Sequence, residues 1–402
     1  MKRTGRKGIR KKPFFIAIAC VCLIAIAAEG LLLAGVFSGK KKAEKKEQSI
    51  TVTPTGTVPE PTGMEPSPTP DPEEIVRVWR ETERTIETGN LSYKLERQEY
   101  DASGRLTHSI LYRDGDTIQQ ETFFTYDEAG RMIGKEQRTI NLASSVKDAM
   151  YITVETRTYF DNGDLKSVEV TPPEFDADNA SLTEYTYDAG HHVLTQTVYM
   201  GRTKSLSARM EYGYDEAGNM ISYRKTDADN ISVWNEEHTY DSEGRRIRMI
   251  GGEKPGVTES ATEYTYDGAG NLISETYLFE DQKGISYSYL HTYDYDNAGN
   301  MIRKKETGAS SVSSSSNYEY TYEYAYDGRG NKTREKQYYM DGSILYDCEY
   351  EYDENDVLKK EIQKNPDGSV SSTITYQYQA FDVPKKDLTE KERDWLERRA
   401  GR

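Results

Sequence analysis

Between residues 93 and 378 the chain alternates tyrosine with glutamate, threonine or glycine in short runs. Examples are Glu184-Tyr185-Thr186-Tyr187, Glu211-Tyr212-Gly213-Tyr214, Glu263-Tyr264-Thr265-Tyr266 and Glu349-Tyr350-Glu351-Tyr352. Strand side chains point to opposite faces at period two, so each run predicts a strand with one aromatic and one polar face. An Asp follows each run and a Gly comes shortly after, as in Tyr126-Asp127-Glu128-Ala129-Gly130. Asp accepts a backbone N–H two residues on and Gly takes a positive φ, which predicts a hairpin turn. Then come Asn or Arg, Met or Leu, and Ile, as in Asn219-Met220-Ile221 and Asn271-Leu272-Ile273. These open a return strand whose apolar side chain packs across from the tyrosines at about 0.2–1 kcal/mol per pair. Asp114-Gly115, Asp227-Ala228-Asp229-Asn230, Asp341-Gly342 and Asp367-Gly368 mark a second turn between repeats.

Ten Asp anchors (Asp101, Asp127, Asp161, Asp188, Asp215, Asp241, Asp267, Asp296, Asp327 and Asp353) recur at a basic spacing of about 26 residues. The fold class that follows is an all-β repeat array of about ten two-stranded units, a curved or rolled antiparallel sheet, because a flat sheet of that size is unstable. Its structural turn residues are the pairs Asp127 and Gly130, Asp215 and Gly218, Asp241 and Gly244, Asp267 and Gly270, Asp296 and Gly299, and Asp327 and Gly330. Tyr126, Tyr187, Tyr214, Tyr240, Tyr266, Tyr295, Tyr326 and Tyr352 are its expected aromatic core. The turns at Phe160-Asp161-Asn162-Gly163 and Tyr187-Asp188-Ala189-Gly190 read as one residue short, and Asp356 replaces Gly in the last copy.

The pattern Tyr-Asp-x-x-Gly-Asn/Arg-Leu/Met, over residues 93 to 378, resembles the YD, or Rhs, repeat of bacterial wall-associated and Rhs proteins, toxin-complex shells and teneurins. That resemblance implies β-hairpins wound spirally into a shell that in the largest members encloses a toxin. The spacing here is longer, and no Rhs core-ending segment, autoproteolytic site or toxin domain is recognisable. An open, curved array is therefore expected rather than a closed capsule.

Seven Lys and Arg residues from Lys2 to Lys12 precede a stretch, Pro13 to Phe37, in which Glu29 is the sole charge. Its length suits a bilayer. The expected order is a basic cytoplasmic tail over 1–12, an uncleaved transmembrane signal anchor over 13–37 and a Lys-rich then Pro/Thr-rich stalk over 38–72. This arrangement places the protein in a bacterial cell membrane as a single-pass chain, N-terminus inside and repeats outside. An amphipathic cap helix is predicted over 73–90, opened by Asp71-Pro72-Glu73-Glu74 with Ile75, Val78, Trp79, Thr82 and Ile86 on one face. The repeats fill 91–380, and a second cap helix is placed within 381–402, where Thr389-Glu390-Lys391-Glu392 reads as a capping box ahead of Trp395 and Leu396.

Charge changes the picture of partners. The net charge is −16, but the first 46 residues hold 12 Lys/Arg against 2 Asp/Glu, which leaves 40 against 66, a net of −26, on the remainder. So acidic a chain repels phosphate backbones, which excludes nucleic acid as a partner. The acidic residues read as a solvated outer face; a weaker reading is Ca²⁺ at the Asp-lined turns, and no other cofactor is expected. Cys348 stands alone outside the apolar stretch and in phase with Tyr350 and Tyr352, so it reads as a small core residue. His108, His191, His192, His238 and His291 form no metal-ligand spacing, and His191-His192 reads as a solvated pair.

There is no nucleophile elbow, phosphate-cradling loop or zinc signature, and equivalent repeats do not make one asymmetric catalytic constellation. No catalytic or metal residue is assigned. The expected function is a non-catalytic binding or scaffold module for a cell-wall or host glycan, or for a protein. The alternative is a delivery or immunity component of an Rhs-like toxin system that encloses or contacts a polypeptide. A closed interior would favour enclosure, an open groove surface binding.

Overall fold

The alternating runs form strands and the Asp-Gly segments form turns. The computed structural model describes residues 75–141, 149–254, 258–280, 284–311 and 317–400. Within them 22 strands make a single antiparallel sheet in which each strand pairs with the next in sequence. The first, β1 (Ile75–Thr88), also pairs with the last, β22 (Val370–Pro384), from Ile75↔Pro384 to Glu87↔Thr373. The sheet is therefore a closed up-and-down barrel, and the open or rolled array is corrected. Closure gives every strand two ladder partners and leaves no edge of unpaired N–H and C=O groups.

The closing strand is also where the predicted cap helix over 73–90 fails. Residues 75–88 are β1, and half of them (Ile75, Val76, Val78, Thr82, Thr85, Ile86, Thr88) are β-branched. Pairing with β22 on one side and β2 (Leu91–Tyr100) on the other overrides a helix-opening signal that is only local. At the other end β22 runs to Pro384, so the helical part of 381–402 is a 3₁₀ turn over Lys385–Asp387 followed by the helix α1 (Glu390–Ala400). Its capping box forms: Glu392 N–H donates to Thr389 Oγ1 at 3.2 Å, and Thr389 N–H donates to Glu392 Oε2 at 2.8 Å.

No helix among the described residues is long and apolar enough to cross a membrane, and the expected single-pass membrane localisation is withdrawn on that finding. The stretch 13–37 on which it rested, with the tail and stalk around it, lies outside the described residues.

Alternation assigns the two faces. On β14 (Ser260–Tyr266), Ser260 and Thr262 are buried and Tyr264 and Tyr266 half-buried, whereas Glu263 and Thr265 are exposed. On β22, Ser372, Ile374 and Tyr376 are buried and Gln377 is exposed. The tyrosine positions thus line the concave inner wall, where neighbouring side chains crowd together. Thr, Glu, Lys and Arg dominate the outer face. The ten Asp turns all fall on one rim, because alternate connections of a meander lie at the same end.

Apolar packing is concentrated at the seam. Leu388, just before α1, packs with Val78 of β1 and Phe381 and Val383 of β22; Val76, Tyr100 and Leu396 join them. Trp79 and Trp395 meet edge to face, ring centroids 5.8 Å apart. Arg80 of β1 pairs with Glu392 of α1 at 2.9 Å, both side chains nearly buried, and also donates to the Gly104 carbonyl of the first Asp turn.

Candidate functional site

The inner wall and its Asp-turn rim carry the repeated chemistry. In each turn the first residue donates its N–H to the carbonyl four residues on, and the fourth residue donates back to the first, as in Asp267→Asn271 and Gly270→Asp267 at 2.9 and 3.1 Å. Gly130, Gly218, Gly244, Gly270, Gly299 and Gly330 occupy that fourth position with positive φ, where a Cβ would be strained. Asp215 Oδ1 accepts the N–H groups of Ala217 and Asn219, and its Oδ2 accepts Asn219 Nδ2 at 2.9 Å. The same double acceptance recurs at Asp241, Asp267, Asp296 and Asp327. At Asp127 the Oδ1 and Oδ2 atoms take the N–H and Nε of Arg131. The Asn219 side chain, and then the backbone N–H groups, hold Asp215 below the usual carboxylate range.

The fifth turn residue also couples turns, a role that the sequence pattern signals only as a recurring Asn or Arg. Arg105, Arg131 and Arg245 lie over the rings of Tyr126, Tyr159 and Tyr266 in the next repeat, 5.0, 4.7 and 4.9 Å from the ring centres. His192 stacks on Tyr214 in the same way at 4.9 Å.

The anchor tyrosines ahead of Tyr352 close gaps in the ladder. Tyr295 donates its hydroxyl to the Leu272 carbonyl at 2.8 Å, just beyond Ser274↔Thr292, where pairing of β15 (Leu272–Glu280) with β16 (Ser286–Tyr295) stops. Tyr126, Tyr187, Tyr214, Tyr240, Tyr266 and Tyr326 make the equivalent bond to Leu106, Leu165, Val193, Met220, Arg246 and Met301. A carbonyl that has lost its ladder donor is thereby satisfied. Tyr352, the last anchor, is half-buried on the same wall.

Hydrogen bonding redefines the irregular turns. Phe160, not Asp161, stands in the Asp position, with Tyr159 as its anchor bonded to the Met132 carbonyl at 2.8 Å. In the next turn His191 takes the positive-φ place, at φ 67°. Neither turn is a residue short. His191 and His192 are not a merely solvated pair, since their Nδ1 atoms lie 2.9 Å from Asp164 and Asp188 carboxylates. Asp356, at φ 60°, meets Arg329 Nη1 at 2.8 Å.

Deeper in the barrel a second set of tyrosines meets carboxylates. Tyr293, Tyr322, Tyr350 and Tyr376 donate to Glu275, Glu306, Glu335 and Glu361 at 3.4, 3.0, 3.3 and 2.6 Å. Burial first, and then the adjacent glutamate, push Tyr293, Tyr322 and Tyr376 well above the usual phenol range. Burial pushes Tyr212 up to about 12. Cys348 is wholly buried on this wall, and burial raises its thiol.

The half of the wall nearer the opposite rim is different on β15 to β19. There the rings of β15 and β16 run into those of β18 (Tyr318–Tyr326) and β19 (Lys332–Tyr339). Centroid distances are 5.8 Å for Tyr277 to Tyr289, 6.4 Å for Tyr289 to Tyr318, 5.5 Å for Tyr318 to Tyr320 and 6.0 Å for Tyr320 to Tyr339, with Phe279 and Tyr287 alongside at 6.2 Å. Gly308 of β17 (Met301–Ser310) lies beneath, where a methyl would run into the Tyr318 ring. The hydroxyls of Tyr277, Tyr287, Tyr289, Tyr318, Tyr320 and Tyr339 have no hydrogen-bond partner among the described residues. Trp234 sits elsewhere on the inner wall and donates Nε1 to Glu236 at 2.8 Å. Among the described residues no group of three His, Cys, Asp or Glu side chains is placed to hold a metal ion.

No protein-family model matches the chain, and no curated protein does. Among solved structures, two crystal structures of TcdB2–TccC3 align with 72% and 78% of this chain at 13% and 12% identity, with TM-scores of 0.36 and 0.35. The chain spans 17% and 21% of those two chains. A porin-like protein from Bacteroides uniformis aligns over 74% of this chain and 98% of its own, at 12% identity and a TM-score of 0.26. Scores of this size leave the fold to be argued from the strand pairing itself.

Proposed function

We propose that the chain is a non-catalytic container whose closed barrel holds a guest against its tyrosine-lined inner wall. The observation that carries this reading is the β1–β22 pairing, which turns the aromatic face of every repeat toward one enclosed space. Repetition supports a binding rather than a catalytic role, since the turn carboxylates and anchor hydroxyls are already committed to the scaffold. The YD/Rhs-like sequence pattern together with closure favours, as a second reading, a delivery component whose guest is a polypeptide.

Enclosure is tested with single cysteines in the full-length chain carrying Cys20→Ser and Cys22→Ser, with the buried Cys348 as background. One variant is Gln137→Cys, on the inner wall of β5 (Met132–Asn141), and the other Glu237→Cys, on the outer face of β12 (Ser232–Tyr240). A small maleimide should label both, and a polymer-linked maleimide only the outer one. Equal labelling by the polymer reagent would sink the container reading.

A further inference from the structure

We propose that the ring platform on β15 to β19 binds a neutral glycan chain; this rests on the container reading and names its guest. Three features of the platform select that ligand. Contiguous rings offer flat apolar area of the kind that stacks on the C–H faces of a sugar. Their hydroxyls, without a hydrogen-bond partner among the described residues, both donate and accept, which matches sugar hydroxyls rather than a fixed charge. Beyond Glu306, which stands across from Tyr320 and is paired with Lys304, the inner-face positions of β17 are Gly308 and Ser310, so that strip of the wall bears no net charge although the chain carries a net charge of −16.

The surroundings weigh against two other guests, a polyanion and a strand-adding peptide. Glu275 and Glu306 lie on the same wall, Glu306 directly across from Tyr320, and together with the net charge of −16 they disfavour a polyanion even though Lys304 pairs with Glu306. A peptide that adds itself as a strand needs a sheet edge, and the closed ring offers none. Gly308 belongs to the site because any side chain there would lift the Tyr318 ring off the wall and break the platform.

The experiment is calorimetric titration of the full-length chain with cellohexaose, maltohexaose and chitohexaose. Heparin hexasaccharide serves as an anionic probe, and a synthetic peptide of residues 51–72 as a proline-rich one. At least one neutral hexasaccharide should bind, and Tyr289→Ala or Tyr320→Ala should weaken it about tenfold, the loss of roughly one stacked ring. Tyr289→Phe keeps the ring, guards against a folding defect and should weaken binding by a few-fold, whereas Tyr295→Phe at the Asp-turn end should leave it unchanged. Absence of neutral-sugar binding at millimolar concentration, equal weakening by Tyr295→Phe, or preferential binding of heparin or the peptide would overturn the glycan assignment. Each of these leaves the maleimide contrast intact, so a failed ligand is distinguishable from a failed container.

Discussion

The two rims of the barrel are made from the same strands but by different rules. At the Asp-turn rim ten connections share one five-residue plan. Phe160, His191 and Asp356 change a side chain without changing the backbone path. At the other rim that plan recurs only in part, at Asp227, Tyr339 and Asn365, among connections as unlike as the tight Gly89-Asn90 turn and the 3₁₀ helix Glu174–Asn179. Tyrosine follows the division. Near the Asp turns the anchor hydroxyls are bound to carbonyls, while on β15 to β19 near the other rim the ring hydroxyls have no partner among the described residues. One end therefore fixes the ring and the other is left to vary, which is where a binding surface costs the scaffold least.

The largest effect should come from the seam, which the regular rim cannot replace. Leu388→Ala removes a buried side chain from the apolar cluster and should cost about 2–4 kcal/mol. Arg80→Met strands Glu392 in a nearly buried position and should cost about 3 kcal/mol. Both are read by urea unfolding. If either variant unfolds like the parent, the ring is held by its ladders alone and the helix is dispensable.

Next in size is a turn carboxylate. Asp327→Ala loses bonds to Arg329 N–H, Asn331 N–H and Asn331 Nδ2 and should cost about 2 kcal/mol. Asp341→Ala at the opposite rim loses only those to Ser343 and should cost less. Equal losses would erase the distinction between the rims. The tyrosines sharpen it further: Tyr295→Phe leaves the Leu272 carbonyl without its donor and should cost about 1 kcal/mol, whereas Tyr277→Phe should leave thermal stability unchanged.

What was legible in the sequence was what a few adjacent residues decide. Asp, Gly and the alternating tyrosines settle a hairpin locally, so the turns at Asp127, Asp215 or Asp267 are readable without any neighbour. Closure depends on residues 75–88 meeting 370–384, and nothing local announces it; the β-branched content of 75–88 was the available signal against a helix. Phe160 was misplaced because its ring resembles an anchor, although the alternation Arg157-Thr158-Tyr159 ends one residue earlier. The platform needs strands β15 to β19 side by side. Its trace in the sequence is tyrosines that lie far from any Asp turn, such as Tyr287, Tyr289, Tyr318 and Tyr320.

The smallest effect is one of pH, and it asks whether the rims loosen together. Asp215, Asp267 and Asp296 are held below the usual range first by the side-chain amides of Asn219, Asn271 and Asn300. At the other rim Asp341 and Asp367 are lowered by Ser343 and Ser369. A folded carboxylate with a depressed pKa stabilises the fold fully above the unfolded value, about 3.9, and loses that contribution as pH falls through its own lower value. The part of the stability that these carboxylates carry should therefore be flat above about pH 5 and decline below it. The Asp-turn rim carries more such carboxylates, each also joined through the fifth turn residue. Its turn amides should thus gain hydrogen exchange faster than those of the opposite rim as acid is added, once the chemical exchange rate is corrected for pH. Asp296→Asn, which keeps an acceptor but cannot titrate, should flatten the response at its own turn. A uniform rise around both rims would mean that acid acts on the barrel as one unit and not through these turns.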